Sequence, residues 1–412
     1  MLRPFLLLAA AVLVAGESAT PFAAGEVLGR PGFTADNGLL AVGVSPLGGR
    51  VLRLDLAGRP LLWTDAMAVA EMRPPSGDGD EMWWYRGRGG AFLWPTPQAH
   101  WRRSDAPFQG WPPPPALERG EMRGFPGAGG LDLHGPAERN PLWRSLGMQA
   151  SCRLEVPPSQ ARLLIHATWT NLAPHPQRAG QWLIATLPAR GAGAPAEVAW
   201  PLRAARPSRF GGRGYVQHHG DPDPEMWRTD AKAGLLRATC LGRAGKISSD
   251  SDGGWIAWRD PADGACLAIR FDPAKDENRL PEGWSSVACN MMGDYAVEVE
   301  AMGPETDLDA GERLVATWEL AACRTAGPVR AVTAGGIISE PPVLADGRLR
   351  GSFGVFVRGM VAVRRAGVEL AALPCTPSEA LHLDILVPAG TGRLELAVVG
   401  EDGASALLAT VP

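Results

Sequence analysis

The sequence predicts an all-β protein, a large antiparallel β-sandwich followed by a smaller one. Three observations predict it. Short runs with apolar residues at every second position recur along the chain, the period at which side chains share one face of a strand. Between those runs, 51 glycines and 38 prolines are spread as turn punctuation. No segment holds a helical apolar period over about twelve residues, which leaves little room for helix. At 412 residues the chain exceeds what one core usually organises, so one large module and one small one are expected.

The first segment, "MLRPFLLLAAAVLVAGESATPFAAG", carries one arginine and then an apolar run from Phe5 to Ala15. That run is too short to cross a bilayer and has the layout of a secretory signal peptide, here residues 1–24, with cleavage near Ala19 or Ala24. No cysteine follows it, and no later stretch is apolar for about 18 residues. The mature protein is therefore expected to be soluble and exported, periplasmic or extracellular, with no membrane partner after cleavage. A formal charge of −4 gives no basic footprint for nucleic acid. Six cysteines are widely spaced, without a C-x-x-C or a histidine at zinc-finger spacing, so neither a metal nor a cofactor is expected. Whether they pair as disulfides or remain buried thiols stays open.

Strands come next. In "LLAVGVSPLGGRVLRLDLAGRPLLW", Leu40, Val42 and Val44 share one face and Leu52, Leu54 and Leu56 another, about a Gly48-Gly49 turn. This is a β-hairpin with a buried side. The same alternation returns in "MQASCRLEVP", "ARLLIHATWTN", "QWLIATLP", "GLLRATCLG", "GWIAWRD", "ACLAIRFD", "YAVEVEAMGP" and "RLVATWELAA". Two strand-poor regions, 66–130 and 201–232, break the rhythm. Loops beyond about 15 residues are usually functional or disordered. The first contains "GGAFLWPTPQAHW" at 89–101 and "GWPPPP" at 110–115. Trp94, Trp101 and Trp111 offer flat faces for stacking on sugars, Gln98 both donates and accepts hydrogen bonds, and the prolines exclude a helix or a central strand. The loop is a binding wall or a structural plug. The second contains His218 and His219, which as neighbours on an extended chain point apart and do not serve one metal. After a boundary at 324–345, six or seven short strands fill 328–412, the pattern of a small immunoglobulin-like sandwich.

Specific words then meet a family. "NGLLAVGVSPLGGRVLRLDLAGRPLLW" at 37–63 resembles the opening of aldose 1-epimerase-like chains, and "YAVEVEAMGPETDLDAGERLVATWELA" at 295–321 resembles their final strands. "GGAFLWPTPQ" and "GKISSDSDGGWIAWRDPADGACLAIRFD" resemble the DUF4380 branch of the galactose-mutarotase-like superfamily. The resemblance implies a large antiparallel β-supersandwich (galactose mutarotase-like) over 28–323, whose concave face binds a carbohydrate, followed by the immunoglobulin-like module as an accessory. It further implies an acid histidine and a base glutamate that open and reclose a hemiacetal.

On this sequence the glutamate falls to Glu298, with Glu300 on the same strand face while Tyr295, Val297 and Val299 take the other. The family's His-Gly-Phe word is absent and His175 sits in a proline-flanked turn, so His134, after the aromatic loop, is the catalytic histidine expected, with His218 and His219 as further candidates. Arg50, Trp94, Gln98, Trp111, Lys246 and Glu300 are the substrate-binding candidates; Arg50 forks onto a ligand oxygen or caps its hairpin. Two other readings are a non-catalytic glycan-binding module and a polysaccharide lyase or hydrolase built on Tyr215, His218, His219, Arg209 and Arg213.

Overall fold

The computed structural model describes residues 19–72, 88–101, 113–140, 143–190, 194–204, 207–220, 223–281 and 285–412. Two large antiparallel sheets form its main body. The first has twelve strands, with a main path Ala23–Val27, Arg30–Asp36, Leu40–Val44, Val51–Leu56, Ala91–Thr96, Gln177–Pro188, Ala296–Met302, Val287–Met291, Gly245–Ser249 and Val216–His219. The second has ten, in the order Trp227–Asp230, Leu235–Thr239, Glu197–Pro201, Trp255–Arg259, Ala265–Arg270, Arg313–Arg324, Arg162–Asn171, Met148–Glu155, Gly130–Ala137 and Arg123–Gly127.

The period-2 sequence pattern explains how they pack. In Arg162–Asn171 burial alternates residue by residue, with Leu163, Ile165, Ala167 and Trp169 turned inward. They meet Leu183, Ala185 and Leu187 of the first sheet, beside Val297 and Val299 of the neighbouring strand. The opening hairpin pairs Leu40 with Leu56 and Val42 with Leu54. Its Gly48 turns at φ +69°, and a Cβ there would lie 2.1 Å from the Glu118 carbonyl oxygen. Only glycine fits that approach.

Phe22 is only 4% exposed and belongs to the core between the sheets. Two sequence expectations are adjusted. The proline run does enter a helix, Pro115–Arg119, because a helix's first residue has no use for an N–H. Pro95 also sits inside a strand; Ala91–Thr96 is bonded along its length only to Gln177–Pro188, leaving the Pro95 ring on the open side.

The C-terminal module comprises two four-stranded sheets. "GIISEPPVLA", read in the sequence as boundary text because of its prolines, is the strand Gly336–Ala345; register shifts between Ile338 and Val343 absorb Pro341 and Pro342. The module lies on the outer face of the second large sheet. Ala199, Ala257, Ala268, Ala321 and Cys323 share one buried cluster with Ile337, Phe353 and Val355. Backbone hydrogen bonds cross the junction, from Ala161 N–H to the Phe356 carbonyl (2.8 Å) and from Arg358 N–H to the Ser159 carbonyl (2.9 Å). All six cysteines are free thiols, although Cys266 and Cys323 stand opposite each other in register.

Candidate functional site

Alternation decides which side chains reach the other face of the first sheet. On Gln177–Pro188 that face takes Trp182, Ile184 and Thr186, since Leu183, Ala185 and Leu187 are committed to the core. The register carries the same face across neighbouring strands: Trp94 opposite Trp182, Glu300 opposite Ile184 and Ala288, Glu298 opposite Thr186 and Asn290, and Lys246 opposite Asn290. One sheet surface thus carries indoles at one side, two carboxylates in the middle and a lysine beyond them.

The carboxylates are not equivalent. Glu300 is 1% exposed and is held by Lys246, whose Nζ lies 3.0 Å from its Oε2 and 5.0 Å from the centre of the Trp182 indole. Glu298 is half-buried and accepts a 2.8 Å hydrogen bond from the Asn290 amide. Burial first, then the negative charge of Glu300, push its carboxyl up to about 7, against the opposing pull of the Asn290 hydrogen bond, Lys246 and Arg50. Beyond Lys246, a ring nitrogen of His218 lies 2.7 Å from Ser248 Oγ, which is 2.7 Å from Ser285 Oγ. Partial burial, then the charge of Lys246, lowers the His218 pKa, so that imidazole is neutral at pH 7. The Trp182 indole N–H and the Thr186 hydroxyl are buried on this face without a hydrogen-bond partner among the described residues. Such groups ordinarily find one.

The aromatic loop takes its shape from a residue the sequence reading passed over. Glu118, on the short helix after the prolines, accepts hydrogen bonds from Arg50 (2.7 Å) and Arg88 (3.2 Å) on Oε1, and from the Trp94 indole on Oε2. Arg50 also donates to the Gly89 carbonyl at 2.8 Å and lies 3.7 Å above the Phe92 ring. Gly89 and Gly90 adopt φ of +70° and +80°, and a Cβ on Gly89 would lie 2.1 Å from the Trp63 carbonyl oxygen. The loop is welded to the sheet edge.

This overturns several expected roles. Trp94 is 4% exposed, packed edge-on against Trp101 and Trp182, so it builds the wall rather than offering a stacking face. Arg50, 2% exposed and committed to Glu118, acts on the site through its charge and not by gripping a ligand. Glu300 is closed off by Lys246. His134 is on the wrong sheet: Leu131 and Leu133 of its strand fill the core, so His134 points from the outer surface of the second sheet, where it packs on Phe125. The whole sandwich separates it from Glu298. Tyr215 packs against the core between the sheets. Tyr295 is exposed beside Trp63 instead of joining Val297 and Val299. Gln98 lies half-buried in a short 3-10 turn, and Trp111 falls outside the described residues. Asn290 had a signal available, as the polar position in the apolar strand "VACNM". Glu118 had none, because its partners are distant in sequence. Among the described residues no three His, Cys, Asp or Glu side chains gather as a metal site.

No family model matches the sequence, and no curated protein matches it. Among solved structures, the chain is similar to a protein from Synechocystis sp. PCC 6803 (13% identity, 76% of this chain and 98% of that one, TM-score 0.45). It is also similar to a galactose mutarotase-like protein from Lactobacillus casei ATCC 334 (12% identity, 70% and 99%, TM-score 0.44). A third is a galactose mutarotase related enzyme from Lactobacillus acidophilus (10% identity, 71% and 97%, TM-score 0.43). At these values the likeness describes chain path and assigns no chemistry.

Proposed function

We propose that the outer face of the first sheet binds a carbohydrate and that Glu298 transfers a proton there, in an aldose-epimerase-like opening and closing of a hemiacetal. One observation carries the reading: a half-open carboxyl with a pKa of about 7 stands beside a Lys246–Glu300 pair that adjoins the indole wall. A group that titrates near neutrality both takes and returns a proton at little cost. As base it would accept the anomeric hydroxyl proton while the ring C–O bond breaks and the ring oxygen is protonated from the opposite side; reversing the steps on the other face of the carbonyl gives the second anomer. Lys246, beyond Glu298 on the same surface, is the proton donor within this geometry. The sequence blocks at 37–63 and 295–321 support the same superfamily; placement in the DUF4380 branch rests on the Leu-Trp-Pro block and its companion alone.

Anomer exchange followed by NMR over a panel of monosaccharides tests it. Exchange is expected to accelerate for at least one sugar, and Glu298→Gln should slow it by about 100-fold or more while binding survives. Exchange unchanged by that substitution removes Glu298 from the chemistry, and a panel without any binding removes the carbohydrate reading.

A further inference from the structure

The C-terminal module leaves one strand edge open, in contrast to its other edges. A sheet edge presents unpaired N–H and C=O groups to which another chain can pair, and proteins blunt such edges with prolines, irregular register, lysine or brevity. Ala331–Val332 is two residues long, and the strand behind it breaks register around Pro341 and Pro342. Val368–Cys375 contains Pro374 and shifts register on its neighbour, and Ser405–Val411 shifts register on Leu394–Gly400. Leu381–Leu386 carries no such device. Its six residues include neither proline nor lysine, and they pair in unbroken register with Arg348–Val355 on one side and with no strand among the described residues on the other.

The sequence "LHLDIL" decides what this edge accepts. Leu383 is buried, while Leu381 and Ile385 on the same face pack partly against the module core. His382, Asp384 and Leu386 take the outer face, where Leu386 is 72% exposed. Arg348 (2.8 Å) and Arg350 (3.3 Å) both donate to Oδ1 of Asp384, which leaves its Oδ2 for a further donor. In an antiparallel pair, residues that stand opposite each other point to the same face. A two-fold axis through Leu383 therefore sets Leu381 against Ile385 of a second copy and His382 against Asp384 of that copy, each twice by symmetry. Leu386 then meets Ala380. Axes at His382 or Asp384 would set imidazole against imidazole or carboxylate against carboxylate, so charge selects one register.

We propose that this edge is a homodimer interface, in which the Leu381–Leu386 strands of two copies pair antiparallel about Leu383 and join two four-stranded sheets into one continuous sheet. Six residues a side make a small contact beside the roughly 1,600 Å² of a standard interface. Association is therefore weak and concentration-dependent, with a Kd on the order of 10–100 μM.

Sedimentation equilibrium of the whole protein, from about 1 μM to about 300 μM, tests the proposal. A monomer–dimer transition is expected, with amide hydrogen exchange at 381–386 slowing as the dimer forms. His382→Asp, a change at an exposed position, opposes two carboxylates and should weaken the dimer about tenfold or more. Adding Asp384→His exchanges the two partners and should restore it, with Tm measured on both variants to confirm that they fold. A protein monomeric throughout the range, a dimer indifferent to His382→Asp, or one that the exchanged pair fails to restore overturns the proposal. So does a dimer that leaves amide exchange at 381–386 unchanged.

Discussion

The two large sheets share one core but carry opposite outer faces. The first sheet turns Glu298, Glu300, Asn290 and Lys246 outward, with one hydrogen bond joining Asn290 to Glu298 and one ion pair joining Lys246 to Glu300. The second turns Ala199, Ala257, Ala268, Ala321 and Cys323 outward, all small and apolar, and the C-terminal module covers them. A sheet whose two faces are both apolar needs a layer on each side. The module is therefore a structural cover for one side of the sandwich. Small side chains on the second sheet let the cover approach closely, while the long ones on the first leave room for chemistry between them.

The contrast can be broken hardest at the covered face. Ala268→Asp places a carboxylate in a fully buried apolar cluster; the expected loss exceeds about 5 kcal/mol, read as loss of soluble folded protein. The first sheet tolerates Glu300 only because Lys246 faces it. Next is Glu118→Ala, which leaves the buried Arg50 without its carboxylate. A loss of about 3–5 kcal/mol is expected, with red-shifted tryptophan emission as the Trp94 wall loosens; an unchanged melting curve would show that the aromatic loop is held by other contacts.

Glu298→Gln sharpens the comparison in the opposite direction. The folded protein holds the Glu298 proton up to about 7, against an ordinary value of 4.5. The folded state binds more protons than the unfolded one in that window, so stability is complete below about 4.5 and falls as pH rises to about 7. The glutamine variant should lose this decline and be more stable than the parent above pH 7, by on the order of 1–3 kcal/mol, with the two converging in acid. Parallel pH–Tm curves would show that the carboxyl is not strained. Smallest is His134→Ala, on the polar margin of the second sheet. Stability should stay within about 0.5 kcal/mol and anomer exchange should be unchanged; a loss of exchange would mean the two sheets do not divide the work as described.

Much of this was legible in the chain. Strict alternation in "RLLIHATWTN" and "YAVEVEAMG" foretold which residues face the core, and it placed Glu298 and Glu300 together on the opposite face. Lys246 was named, though not its partner. His134 was misplaced because alternation gives a side of a strand but not the sheet to which the strand belongs. Trp94 was misread as a stacking face because an indole's exposure depends on Glu118, Trp101 and Trp182, which arrive from elsewhere in the chain.

The sequence by itself determined the period, the turns and the face of each strand, since these follow from sterics and hydrophobic burial over a few neighbouring residues. Strand order was decided only in three dimensions. It set Lys246 beside Glu300 and buried the surroundings of Glu298, and that burial, with the charge of Glu300, raises the Glu298 carboxyl to about 7. Desolvation and charge–charge coupling act over a few ångströms of space, and the Lys246 and Glu300 charges that close there are separated by tens of positions along the chain.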